Sequence, residues 1–138
     1  MTRAVAISLK IPDNTAYTAA VALRRLAINV ERVERSEIWF FDDGGDVPAL
    51  IASIAADETI FNPNKHRVTV LDEPVPRSGE VWIEPLDPVT LSLSKGDREK
   101  AATAWRLFEA RGEPLDKATL HAAAERLLCN PAIERAVY

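Results

Sequence analysis

Apolar and polar residues alternate at the start of the chain. Val5, Ile7 and Leu9 fall on one side and Ala6, Ser8 and Lys10 on the other, which predicts a half-buried first strand. Pro12-Asp13-Asn14-Thr15 ends it and can cap a helix. Ala16, Ala19, Ala20, Leu23, Leu26, Ala27 and Val30 then recur at three- and four-residue spacing, the stripe of an amphipathic helix whose alanines let it lie close on a sheet. Between residues 30 and 42 the period returns to two. Val33, Arg35, Glu37, Trp39 and Phe41 point one way, and Glu34, Ser36, Ile38 and Phe40 the other, so a long strand is expected with a charged first half and an apolar second half. Asp42-Asp43-Gly44-Gly45-Asp46 reads as a turn with Asp46 as a helix cap. Val47, Leu50, Ile51 and Ile54 make a second helical stripe, expected to run to Asn62-Pro63 and to be followed by a strand over 67–71.

The Pro-rich segment around Asp72 to Gly79 has no periodicity and reads as a linker. Beyond it, Val81-Trp82-Ile83 is a short strand in which Val81 and Ile83 claim one face, so Trp82 is expected at the surface or an interface, with Trp39 and Trp105 in the core. Val89, Leu91 and Leu93 alternate as another strand, and Ser94 with Asp97 resembles a helix cap. Ala101, Ala104, Trp105 and Phe108 fit one face of a helix that stops at Gly112-Glu113-Pro114. Asp116 can cap a last helix with Leu120, Ala123, Ala124, Leu127 and Leu128 inward, before a strand over 133–137.

One motif occurs twice. Aligned without a gap, residues 56–70 and 124–138 share Ala56/Ala124, Asn62/Asn130, Pro63/Pro131 and Arg67/Arg135, with apolar matches at Ile60/Leu128, Phe61/Cys129 and Val68/Ala136. Each copy reads as a helix end, an Asn-Pro stop and a strand, because Asn tolerates left-handed geometry and Pro cannot continue a helix. The chain is therefore expected to hold two related α+β units, 1–72 and 81–138, joined by a linker at 73–80.

Composition narrows the chemistry. At 138 residues, 47% apolar and 28% charged, the sequence has the balance of an ordinary globular protein. A net charge of −4 without a basic stripe argues against a nucleic-acid partner. The single Cys129 excludes an internal disulfide and a cysteine zinc site. Met1-Thr2-Arg3-Ala4 leads straight into a strand, and no stretch is long enough to span a membrane, so the expected location is cytoplasmic. Gly44-Gly45 is followed by Asp46, which would repel a phosphate, and the cluster Asp42, Asp43 and Asp46 lacks the loop spacing of a calcium site. His66 and His121 are far apart and read as surface or interface residues. No convergent acid, base and nucleophile can be picked out, and no cofactor or metal is implied.

Several stretches together resemble the PurS family, the small subunit of formylglycinamide ribonucleotide amidotransferase. Leu9-Lys10 ends the first strand, Asp13 follows, a helix of the type Ala-x-x-x-Leu-x-x-Leu runs from Ala19 to Leu26, and Val30-Glu31-Arg32-Val33 opens the next strand. The family's tail is matched at Glu125-Arg126-Leu127-Leu128-Cys129-Asn130-Pro131-Ala132-Ile133-Glu134. The likeness runs along residues 5–70 and returns from about residue 120. PurS subunits commonly carry a Gly after the early Asp and an Arg-x-Gly-Lys in the second strand; here the latter stretch is Glu34-Arg35-Ser36-Glu37.

The resemblance implies an α+β, two-layer sandwich, mainly antiparallel sheet with helices on one face, in two PurS-like units that form a pseudo-dimer within one chain. It implies a non-catalytic scaffold between a synthetase subunit, which carries the ATP chemistry, and a glutaminase subunit, with a homodimer as a further possibility. The residues it points to for partner binding are Lys10, Asp13, Glu34, Arg35 and Glu37. Alternatives from the residues are a small-molecule-sensing domain with a cleft between the units, or a PurS-like fold serving a different complex.

Overall fold

The computed structural model describes residues 2–42, 47–58, 61–86 and 98–138. Along the chain lie β1 (Thr2–Leu9), α1 (Asn14–Arg25), β2 (Arg32–Asp42), α2 (Val47–Ala55), β3 (His66–Val70), β4 (Glu80–Pro85), β5 (Arg98–Phe108), α3 (Lys117–Ala123) and β6 (Glu134–Val137). The last turn of α3 widens into a π-helix over Ala124–Leu128, closed by Cys129 N–H donating to Ala124 O. The strands form one sheet in the order β3-β1-β2-β5-β4-β6, and every neighbouring pair is antiparallel.

Two of the helix caps expected from the sequence are made. Asp13 Oδ1 accepts from the backbone N–H of Thr15 and Ala16, and Asp116 Oδ2 accepts from Thr119 N–H. The other end of α1 closes differently from its sequence pattern, which carried the stripe on to Ala27 and Val30. Ile28 N–H donates to Leu23 O and Ala27 N–H to Arg24 O, a Schellman closure. Ala27 sits at the left-handed position with φ 63°, where glycine is the usual occupant.

β5 departs from expectation. The helical spacing of Ala101, Ala104, Trp105 and Phe108 predicted a helix, yet the segment is an eleven-residue strand. Its ladder with β2 runs from Arg32↔Phe108 to Phe41↔Arg98, with a register irregularity between Ile38 and Trp39. Ala102 and Ala104 are buried on one face and Leu107 on the other, so the apolar residues follow no single period and pairing decides the outcome. The second helix also stops early, at Ala55, and Phe61 fills the core beside Leu50 and Ile54. The turn and Asp46 cap at 43–46, the strand at 89–93 and the Ser94/Asp97 cap lie outside the described residues.

The described helices cover one face of the sheet. Over β1 and β3, Leu50 and Ile54 of α2 and Phe61 pack on Val5, Ile7 and Phe41, with Val68, Val70 and Trp39 at the margin. Towards the other edge, Leu23 of α1 and Leu120 and Ala123 of α3 pack on Val81, Ile83 and Leu107. The opposite face carries its own apolar cluster of Ala4, Ala6, Ile38, Leu71, Trp82, Ala102 and Ala104. Trp82, expected at the surface, is 2% exposed there.

The connection after β3 runs over this same face. Three strands separate β3 from β4, so residues 71–79 must cross the sheet, and they cross the face without helices. Leu71 joins the Trp82 cluster at the start of the crossing, and Ser78 O accepts from Arg106 Nε at its end. Gly79 lands with φ +70° at a spot where a Cβ would lie 2.6 Å from Pro114 Cβ. Next to it Glu80 is 1% exposed yet fully bonded. Its carboxylate accepts from Arg77 N–H, Nε and Nη2 and from Trp82 Nε1. Burial alone pushes this carboxyl up, but the bonds from Arg77 and Trp82 outweigh it and hold the group below its ordinary 4.5.

The halves of the sheet are built alike. Val5 faces Trp39 as Val81 faces Trp105, and Ile7 faces Glu37 as Ile83 faces Thr103. Leu9 faces His66 as Pro85 faces Glu134. With β1 matched to β4, β2 to β5 and β3 to β6, the strand order reads the same from either edge. Glu37 faces Thr103, its own counterpart, so the axis relating the halves passes through that pair.

Two measurements check these assignments. Ala27→Gly relieves the left-handed strain and is expected to raise the unfolding free energy by about 1 kcal/mol in urea; a loss of stability would contradict the assigned backbone. Because the Glu80 pKa is depressed on folding, its stabilisation is whole above the unfolded value and disappears as pH falls through the folded one. Glu80→Gln is expected to lower the melting temperature at pH 7 and to flatten its decline below about pH 4.5. Parallel acid limbs for parent and variant would remove Glu80 from the account.

Candidate functional site

β1 and β2 stay paired only as far as Ser8↔Ser36. Beyond that rung β1 turns away towards α1, while β2 continues alongside β5 to Arg32. The fork so formed is bridged by one ion pair. Arg35 Nε donates to Asp13 Oδ2 at 3.0 Å, with both side chains partly buried. Asp13 therefore has two tasks: one carboxylate oxygen caps α1, and the other ties the helix start to β2. The pair stands between two recesses of about 250 and 210 Å³, smaller than most pockets for drug-sized ligands.

On the helix side the recess is lined by Ile7, Asp13, Arg35, Glu37, His66 and Thr103, among others. Glu37 accepts from Trp39 Nε1 at 3.3 Å through Oε2. His66 accepts the Asn62 N–H on Nδ1 at 2.9 Å, which assigns the hydrogen of the neutral ring to Nε2. On the other side the recess is lined by Ser8, Asp13, Glu34, Arg35, Ser36, Arg67, Thr69 and Arg77, with apolar neighbours.

The structure thus brings Asp13, Arg35 and Glu37 to one recess and Asp13, Glu34 and Arg35 to the other. Lys10 lines neither. Its Nζ donates to Pro63 O at 2.9 Å, tying the end of β1 to the first Asn-Pro turn. Glu34 lies 3.4 Å from Arg32, in a pair about half exposed and worth little. Sequence reasoning missed Ser8, Ser36, Arg67 and Arg77. Only strand register brings the first three into one row, and only the crossing connection brings Arg77 over them.

The two Asn-Pro turns prove to be one object made twice. Asn62 Oδ1 accepts from Asn64 N–H, as Asn130 Oδ1 does from Ala132 N–H. Asn62 O accepts from the N–H of Lys65 and His66, as Asn130 O does from Ile133 and Glu134. The N–H of Asn62 donates to the His66 side chain, and that of Asn130 to the Glu134 side chain. Each turn is also held to the neighbouring strand in the same way, by Lys10 N–H on Lys65 O and by Leu86 N–H on Ile133 O.

Cys129 and His121 lie away from these recesses. Burial, and then the charge of Glu134, push the Cys129 thiol up, away from the thiolate a nucleophile needs. His121 stacks on Tyr138 at 3.6 Å between ring centroids. Among the described residues no group of three or more His, Cys, Asp or Glu is placed to hold a metal ion. Among them, too, no helix is long and apolar enough to cross a membrane. No family model matches the chain, and no curated protein matches it.

The double task of Asp13 gives a test. Asn also caps helices, so Asp13→Asn removes only the ion pair and is expected to cost under about 1 kcal/mol. Asp13→Ala loses the cap as well and is expected to cost about 2 kcal/mol in urea unfolding. Equal costs for the two variants would show that the cap contributes nothing.

Proposed function

We propose that this chain is a non-catalytic, PurS-like subunit that scaffolds the formylglycinamide ribonucleotide amidotransferase complex of de novo purine biosynthesis in the cytoplasm. In this reading its two halves, 1–72 and 81–138, stand where two copies of a single-unit subunit would stand. The observation that carries it is the pair of Asn-Pro turns, bonded alike residue for residue on a sheet whose order is the same from either edge. That arrangement is what a subunit acting as a dimer would become if its copies were fused, and the family's tail motif contains this turn. Lys10, Asp13, Glu34, Arg35 and Glu37 are the residues assigned to the synthetase and glutaminase partners. Lys10, Glu34 and Glu37 are exposed, as a docking surface requires. The chain supplies no cofactor in this role.

A second reading has an observation of its own. The segment Glu34-Arg35-Ser36-Glu37 replaces the family's Arg-x-Gly-Lys, and Arg35 is turned onto Asp13 rather than left free. That favours a diverged interaction or ligand-sensing domain on the same fold.

The solution mass of the chain, alone and mixed with synthetase and glutaminase subunits from the same source in glutamine and ADP, separates the two. The scaffold reading expects a stable ternary complex, weakened at least tenfold by charge reversal at Glu34 and Glu37 together. Unchanged masses on mixing would leave the second reading.

A further inference from the structure

Among the differences that the likeness of the two halves exposes, one concerns an ion pair. In the second half Arg135 stands opposite Glu84 across β6 and β4. Its Nε and Nη2 both reach Glu84 Oε1, at 3.1 and 2.5 Å. The counterpart of Arg135 is Arg67, and the counterpart of Glu84 is Ser8, which stands opposite Arg67 across β3 and β1. The first half therefore keeps the guanidinium and lacks the carboxylate. No hydrogen bond or ion pair of the Arg67 side chain is formed among the described residues.

The surroundings of Arg67 are rich in donors. Register sets Arg67, Ser8 and Ser36 side by side on the face crossed by residues 71–79, one strand apart each, so neighbouring Cβ atoms are about 5 Å apart. Thr69 follows two residues along β3 on the same side. Arg77 enters the recess from the crossing connection, where its Nε and Nη2 are engaged by Glu80 and its Nη1 is not. Of the two carboxylates on the rim, Asp13 is bonded to Arg35, and Glu34 stands out in solvent 3.4 Å from Arg32. A carboxylate offers two oxygens; these hydroxyls and guanidinium groups are more than it can use. A phosphoryl group offers three, and arginine forks suit it.

We infer that the recess around Arg67, Ser8 and Ser36 binds the phosphoryl group of a small phosphate ester, which takes the place that Glu84 holds in the other half. Arg67 is the anchoring charge, and Ser8, Ser36 and Thr69 give hydroxyl hydrogen bonds to the terminal oxygens. At about 250 Å³ the recess admits a phosphoryl group with a few attached atoms. The inference does not depend on the scaffold reading, since Arg67, Ser8, Ser36 and Thr69 are not among the residues assigned to a partner, although Asp13, Glu34 and Arg35 line the same recess.

The test is thermal unfolding of the full chain with inorganic phosphate, acetate or chloride at one ionic strength. Phosphate is expected to raise the melting temperature in a saturable way, with acetate and chloride giving no saturable rise. Arg67→Ala, an exposed residue whose loss leaves no buried group unpaired, is expected to weaken phosphate binding roughly ten- to hundredfold. Ser8→Glu copies the second half's ion pair into the first and is expected to abolish the phosphate effect in a chain that melts no lower than the parent. A rise equal in all three salts, or a phosphate response kept by both variants, overturns the inference.

Discussion

The ladder between β2 and β5 is the one pairing on which the rest depends. It joins two three-stranded halves that would each present a long open edge if separated, and open edges pair with whatever strand they meet. Both strands run eleven residues, longer than any other in the sheet. Because Glu37 and Thr103 are counterparts facing each other, the contact has the geometry of a two-fold dimer interface made inside one chain. Tethering turns an association that would depend on concentration into one that does not.

The link that makes this possible also reshapes the molecule. A connection between the outermost β3 and the distant β4 has to travel over the sheet, and its path covers the face that the described helices leave bare. Trp82 and Glu80 are buried beneath or beside it, and Glu80 is tolerated there because Arg77, from the same connection, bonds it three times. The crossing segment is at once tether, lid for a core and source of a cation for the recess at the fork.

Much of this was legible in the sequence, and the failures have physical reasons. Alternation found β1, β2 and β3, three-and-four spacing found α1 and α2, and Asp13 and Asp116 announced their helices. β5 was lost because Ala102 and Ala104 face one cluster while Trp105 and Leu107 face another, so no single period stands out. Trp82 was misplaced because alternation says which side a residue takes and nothing about what lies over that side. At the site, Asp13 and Arg35 were both singled out, but their contact joins residues far apart in sequence. The row of Arg67, Ser8 and Ser36 exists only through register.

A symmetric dimer offers each of its partners two equal seats. The two halves of this chain share strand register but not the chemistry of their corners. At the Asn-Pro turn of the first half the chain presents Lys10 and Lys65; the matching corner of the second half presents Leu86 and Ile133, both exposed. One end of the molecule is cationic where the other is oily, so the particle has a head and a tail. A surface complementary to one corner would not fit the other.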